Sequence, residues 1–221
     1  MINIENNIDE IYVSSTKIVE AYIGSQLVWE KNSPMPFYDA EIEYLESTGT
    51  QWIDTGVYHN EGQSYAIDII ATPTKVESDF IATRIGNGGM VVGFYNYFVF
   101  GYNRPNSRID TERLEVKKTE LHIEYEFKDG NRTLMVNGIS YSKEGATYSA
   151  NSTIRIYGGY QGVYYSSIKC KRVIFRDANN NLLIDMIPVR VGQVGYMYDK
   201  VSKQLFGNAG TGDFVLGPDV T

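Results

Sequence analysis

The stretch that most constrains this chain runs from Leu121 to Phe127. Leu121, Ile123, Tyr125 and Phe127 alternate with His122, Glu124 and Glu126. Successive side chains of a strand point to opposite faces, so the run reads as a strand with one buried and one wet face. Asp129-Gly130-Asn131 follows, then Leu134-Met135-Val136 and Asn137-Gly138. Asx-Gly pairs supply the positive φ that tight hairpin turns require. A chain carrying this pattern is committed to antiparallel sheet.

The rest of the chain extends the pattern. Glu43–Gly56 reads as an opening strand pair, with Tyr44 and Leu45, a turn at Ser47–Gly49, and a second strand at Gln51–Asp54. Ser64–Thr72 is a strand stopped by Pro73, followed by Phe80–Arg84 and by Met90–Tyr102, bent near Gly93. Later strands are expected at Thr153–Tyr157, Ile168–Arg176, Leu182–Pro188, Tyr196–Asp199 and Phe214–Leu216. No segment sustains a helical period; Asp110–Lys118 has room for one turn. Roughly a dozen short strands without βαβ alternation imply an all-β, antiparallel sandwich. The last strands are expected to lie beside the first, with Glu43–Gly56 and Tyr196–Leu216 forming a clasp in which Trp52 and Ile53 seal the ends together.

A separate unit precedes the sandwich. Ile11-Tyr12-Val13, Lys17–Ile23 and Gln26–Glu30 read as short strands, with a turn at Gly24-Ser25. So few strands cannot bury Tyr12, Tyr22 and Trp29 by themselves. Residues 1–31 are therefore an expected anchor or oligomerisation element. Residues 32–37 contain Pro34 and Pro36 and read as a stiff linker. Residues 38–221 make the sandwich.

Composition narrows the partners. Lys+Arg total 20 against 27 Asp+Glu, a net charge of −7. Nucleic-acid binding starts from a basic field, so none is expected. The N-terminal decapeptide has neither a basic nor an apolar signal region, and no apolar run reaches the ~18 residues of a membrane span. Neither export nor membrane contact is expected. With the single cysteine, Cys170, no internal disulfide is expected either.

Several motifs resemble known families. Asp129–Gly138, with Ile154–Gly159 and Lys171–Asp177 after it, resembles the hairpin and following strands of laminin-G-like and concanavalin A-like sandwiches. The opening Tyr-Leu-Glu-Ser-Thr-Gly-Thr-Gln-Trp-Ile-Asp-Thr-Gly (residues 44–56) and a closing block resemble a family of phage and prophage proteins of gut bacteria. That block contains Ile187-Pro188-Val189-Arg190, Gly195-Tyr196-Met197-Tyr198-Asp199 and Leu205–Gly217. Tyr12–Glu30 resembles a phage-structural element that precedes such domains. The resemblance implies a jelly-roll sandwich, a virion location and a non-enzymatic structural role as fibre, decoration or receptor-binding module. It further implies contacts to other virion proteins through residues 1–31 and a homo-oligomer, a trimer if the habit of fibres holds. It carries no ligand-site residues.

Candidate chemistry is sparse. Glu41, Glu43 and Glu46 mimic the Glu-x-Asp-x-x-Glu motif of glycosidases with this sandwich, whose carboxylates act as nucleophile and acid. Glu43 stands where the Asp belongs, and the segment opens the domain instead of lying deep within it. A solvated strand face is the expectation; a hydrolase acting on surface polysaccharide is one alternative for the chain, and a purely architectural capsid or tail component the other. Glu124, Glu126 and His122 read as an ordinary wet face. Asp177–Asn181 has the oxygen spacing of a calcium loop but lacks its glycine and glutamate, so a polar turn is expected. Only His59 and His122 are present, too few for a His-based triad or zinc centre. Cys170 reads as a buried small hydrophobe. No catalytic residue, cofactor or metal is assigned.

The aromatic runs Phe94–Arg104 and Tyr157–Tyr165 are the most functional in appearance. Aromatic faces with polar neighbours suit sugar rings, and they suit subunit interfaces equally. The candidate ligand site is Tyr95, Tyr97, Tyr102, Arg104, Tyr160 and Tyr165, with a host glycan as its ligand and core or interface packing as the plainer reading.

Overall fold

The structure is a computed structural model. It describes residues 38–58, 63–75, 78–83, 89–102, 108–114, 116, 118–144, 152–158 and 166–220, and the backbone of four strands before them. The chain divides into two compact units, Met1–Phe37 and Tyr38–Thr221.

In the first unit, β1 (Ile11–Val13) pairs with β2 (Thr16–Ile18), and β3 (Glu20–Ile23) with β4 (Gln26–Glu30), both antiparallel. The single strand expected over Lys17–Ile23 is two strands belonging to separate hairpins. The linker expected at residues 32–37 lies outside the described residues.

The second unit begins with β5 (Ala40–Glu41), β6 (Leu45–Thr48), β7 (Ile53–Tyr58), β8 (Tyr65–Pro73) and β9 (Ser78–Ala82). It continues with β10 (Val91–Tyr95), β11 (Phe98–Tyr102), β12 (Ile109–Asp110), β13 (Leu121–Lys128), β14 (Asn131–Val136) and β15 (Ile139–Glu144). The last strands are β16 (Thr153–Ile156), β17 (Ser167–Asp177), β18 (Leu182–Val191), β19 (Val194–Asp199), β20 (Gln204–Phe206) and β21 (Val215–Leu216). No helix occurs among the described residues, so the turn allowed for at Asp110–Lys118 is absent from its described part, where Asp110 instead ends β12.

Two antiparallel sheets enclose one core, as in a β-sandwich. The larger runs β15-β14-β13-β8-β17-β18-β19-β20; off this path β6 pairs with β17 and β21, and β5 with β18, where β17 and β18 no longer pair with each other. The smaller runs β12-β11-β10-β9-β16-β7. The alternation of β13 sets the large sheet's inner face: Leu121, Ile123, Tyr125 and Phe127 are all at most 2% exposed. Tyr65, Ile67, Ile69 and Ala71 of β8 continue that face, as do Ile168, Cys170, Val173 and Phe175 of β17. Opposite them stand Phe80, Ile81, Val92, Phe94, Val99, Ile154 and Ile156 of the small sheet. At roughly 1.5–3 kcal/mol for each large apolar side chain buried, this cluster dominates stability.

Two sequence-level readings change. Met90–Tyr102 is a hairpin, not one bent strand: β10 and β11 pair from Val91↔Tyr102 to Tyr95↔Phe98 around Asn96-Tyr97. Asn96 has φ 51°, a left-handed value that asparagine tolerates better than most residues. The chain can pack this hairpin because Gly101 faces the core. A Cβ there would lie 2.5 Å from the Tyr125 ring, so the glycine makes room for an aromatic side chain from the opposite sheet.

Glu43–Gly56 is not a strand pair within one sheet either. β6 belongs to the large sheet, paired with β17 and β21, whereas β7 is the edge of the small sheet beside β16. The segment between them crosses from one layer to the other. The clasp with the closing block does form: Val215↔Glu46 and Leu216↔Leu45 pair, Ile42 bridges Asp219, and Ala209 and Thr211 donate backbone N–H groups to Trp52 and Thr50 carbonyls. Gln51 Nε2 donates to Asp213 O at 2.9 Å, and Asn208 Oδ1 accepts from Trp52 N at 3.2 Å.

Candidate functional site

The β10–β11 hairpin brings Tyr95 and Tyr97 to one tip. Asn96 and Tyr97 form the two-residue turn between the paired Tyr95 and Phe98, and residues 95–97 are all exposed. Tyr95 remains 45% exposed and Tyr97 43%, while Phe94 and Val99 on either side are fully buried. The buried pair fixes the hairpin on the core and leaves the tyrosines outside.

A second segment stiffens this tip. Thr111 N donates to Val99 O at 3.0 Å, Thr111 Oγ1 accepts from Val99 N at 3.2 Å, and Leu114 N donates to Tyr97 O at 2.9 Å. Residues 111–114 are thereby tied along the hairpin, which carries the Arg113 guanidinium over the Tyr97 ring at 4.1 Å. Arg108 lies 4.3 Å over the Phe100 ring and 5.6 Å from the Tyr95 centroid. Its Nε donates to Asp110 Oδ1 at 2.6 Å, and its carbonyl accepts from Lys143 Nζ at 3.0 Å. Guanidinium groups favour aromatic faces, and each such contact restricts both partners before any ligand arrives.

Of the six residues expected to bind ligand, the structure brings Tyr95 and Tyr97 together. Tyr102 ends β11, paired with Val91 at the far end of the hairpin, roughly 15 Å along the chain from the tip. Its side chain, and Arg104, Tyr160 and Tyr165 entirely, lie outside the described residues. Arg108 and Arg113 were not foreseen. They come from a stretch without strand alternation, and only the pairing of Asp110 with Phe100 reveals their place.

The other constellations are placed elsewhere in the fold. Glu41 lies in β5 and accepts from the Tyr38 hydroxyl at 2.9 Å; Glu46 lies in β6 with Lys169 Nζ 3.9 Å away. The glycosidase-like spacing is therefore split over two strands with different neighbours. Asp177 Oδ1 accepts from Asn179 N and Asn181 N, both at 2.8 Å, and Oδ2 from Asn181 Nδ2 at 3.0 Å, so the turn itself engages the carboxylate. Among the described residues no group of three His, Cys, Asp or Glu side chains is placed to hold a metal.

The wet face of β13 is more structured than its alternation implied. Glu124 stands directly opposite Asp68 of β8, a like-charge pair that destabilises a sheet unless something intervenes. His122 Nε2 lies 3.0 Å from Asp68 Oδ1 and 3.8 Å from Glu124 Oε1. Beside them a shallow hollow of about 310 Å³ opens over Ala66, between Glu126 and Arg176. Ala66 is the small residue of its cross-strand row, so the hollow follows from its missing bulk.

Inside, Cys170 is fully buried and its thiol pKa is pushed up to about 12 by desolvation. Burial also raises Tyr157 well above the ordinary tyrosine range. Both are held neutral.

Comparison with protein-family models gives no match, and comparison with curated proteins gives none.

Proposed function

We propose that this chain is a non-enzymatic recognition module of a bacteriophage virion, a jelly-roll sandwich of the laminin-G-like kind that presents the Tyr95–Tyr97 tip to a host-surface glycan. The observation that carries the ligand reading is the tip itself: two half-exposed tyrosines on a rigid hairpin, each with a guanidinium beside it. Tyrosine supplies a large contact area at little entropic cost, and its ring matches the apolar face of a pyranose while the hydroxyl meets the polar edge. The virion assignment rests on the opening and closing motifs, which are the residues of the clasp. The non-catalytic reading is supported by the separation and engagement of Glu41 and Glu46. In this reading residues 1–31 attach the chain to other virion proteins or to sister subunits.

Two experiments test the proposal. A glycan array probed with the intact protein should give discrete signals that disappear in Tyr95→Ala/Tyr97→Ala; a blank array, or signals untouched by the double substitution, would sink the glycan reading. Phage particles carrying a deletion of residues 1–36 should lose the protein from the virion. Normal incorporation of the shortened chain would overturn the anchor role.

A further inference from the structure

The two arginines of the tip differ in a way that points to the ligand's charge. Among the described residues Arg108 is committed: its guanidinium holds Asp110 at 2.5 Å and packs on Phe100. Arg113 forms no ion pair among those residues, and its contact is the Tyr97 ring. Lys143, on the neighbouring edge strand, brings a further cation to Arg108's backbone. Glu112, beside Arg113 in sequence, is exposed and forms no ion pair with it. The tip also carries the exposed carboxylates of Asp110 and Glu112, so what favours an anion there is the Arg113 guanidinium itself and not a net local charge. An arginine stacked on an aromatic ring still offers its outward N–H groups in a planar fork that matches a carboxylate, sulfate or phosphate.

We infer that the ligand of the tip is an anionic saccharide, whose ring lies against Tyr97 and Tyr95 and whose acidic substituent is received by Arg113. This rests on the glycan reading above and goes beyond it by fixing the sugar class. Arg108 in this arrangement is a positioning residue: it braces Tyr95 and, through Asp110, the strand that leads to Arg113. The ring contacts supply shape, and the guanidinium supplies the discrimination between a charged sugar and its neutral parent.

The test is an array on which uronate, sialate, sulfated and phosphorylated glycans are each printed beside the neutral parent, read with the intact protein. Signal confined to acidic members is the expected result, and which acid gives it identifies the substituent. For that glycan, Arg113→Gln should weaken binding about tenfold, as loss of a charge-assisted hydrogen bond does. Arg113→Lys should fall between the two. Raising salt from about 0.05 to about 0.5 M should weaken the wild type and leave Arg113→Gln nearly unchanged. Since Arg113 is exposed, an unaltered melting curve will show that the variant is folded. Equal signals for acidic and neutral members would overturn the inference while leaving the glycan reading in place; a blank array would overturn both. Acid-specific binding that Arg113→Gln leaves intact would overturn the assignment to this residue.

Discussion

The Tyr157 hydroxyl donates a 2.6 Å hydrogen bond to the Leu45 carbonyl, joining the end of β16 in the small sheet to β6 in the large one. Apart from edge contacts such as Lys143 to the Arg108 carbonyl, the layers meet through apolar side chains, so a polar tie through the core is informative. Tyr157 has φ 65°, an uncommon value for a bulky residue. Its backbone is bonded on both sides, donating to Phe80 O at 2.7 Å and accepting from Ser166 N at 3.0 Å. Its ring meets Phe80 and Phe214 edge-on or tilted, at 5.4 and 5.2 Å.

Tyr157→Phe keeps the ring and removes the donor. It leaves a buried carbonyl short of one partner, which costs about 1–3 kcal/mol. Urea unfolding should show the midpoint lowered with the slope unchanged; a midpoint equal to wild type would mean the hydroxyl contributes nothing.

Gly210→Ala addresses the clasp. A Cβ at that position would stand 2.1 Å from the Thr50 carbonyl oxygen and 2.8 Å from Trp52 Cδ1. Backbone cannot yield as a side-chain tip can, so roughly 2 kcal/mol or more should be lost. Amide exchange should speed first at Ala209 and Thr211, whose N–H groups bond to Trp52 and Thr50. Unchanged exchange there would refute the clasp as a point of closure.

Cys170 gives a reporter of the core. A thiol fully buried with its pKa raised to about 12 carries almost no thiolate at neutral pH and offers no path to reagent. The native protein should not react with a thiol-specific chromogen at about pH 8, and urea should release the one thiol of the chain. Rapid reaction of folded protein would contradict the packing of β17.

The Arg190–Asp219 pair, with Nε and Nη2 of Arg190 at 2.7 and 2.6 Å from the two carboxylate oxygens, holds the Asp219 pKa below its ordinary value of 3.8. A depressed carboxylate stabilises the fold above the unfolded value, and that contribution is lost as pH falls through the lower, folded value. The protection of the Val220 amide, which bonds to Glu41 O, relative to its rate in the unfolded chain should therefore fall in acid below 3.8, and Asp219→Asn should show that reduced protection, and hence faster exchange, at neutral pH. A rate in that variant equal to wild type would show that the pair does not hold the chain end.

Strand identity was legible where apolar and polar residues alternate over a long run; β15, exposed along nearly its whole length, and the short β5 and β20 were not read as strands. β13 could be read because Glu124 and Glu126 separate its apolar residues. The β10–β11 turn was hidden because Val91, Val92, Gly93 and Phe94 are all buried, so the run carries no alternation to mark its end. A bulge in the pairing with β9, between Val92 and Gly93, lets Phe80 and Ile81 both enter the core, which also breaks the period. The layer change at residues 49–52 was hidden for a different reason: Leu45 and Ile53 are equally apolar, and nothing local tells which sheet receives each. Of the site, the tyrosines were visible as residue types. Their arginines were not, because Arg108 and Arg113 reach them through β12, a strand only two residues long.

The pairing of β6 with β21 places residues 45–46 against residues 215–216. The large sheet can close along this side only after nearly the whole sandwich has been synthesised, and contacts so distant in sequence form slowly. While the chain is still on the ribosome, Leu45 and Trp52 stand uncovered by the segment that later shields them. Covering Leu45 and Trp52 is thus a step that the sandwich can take only once the segment through β21 has left the ribosome.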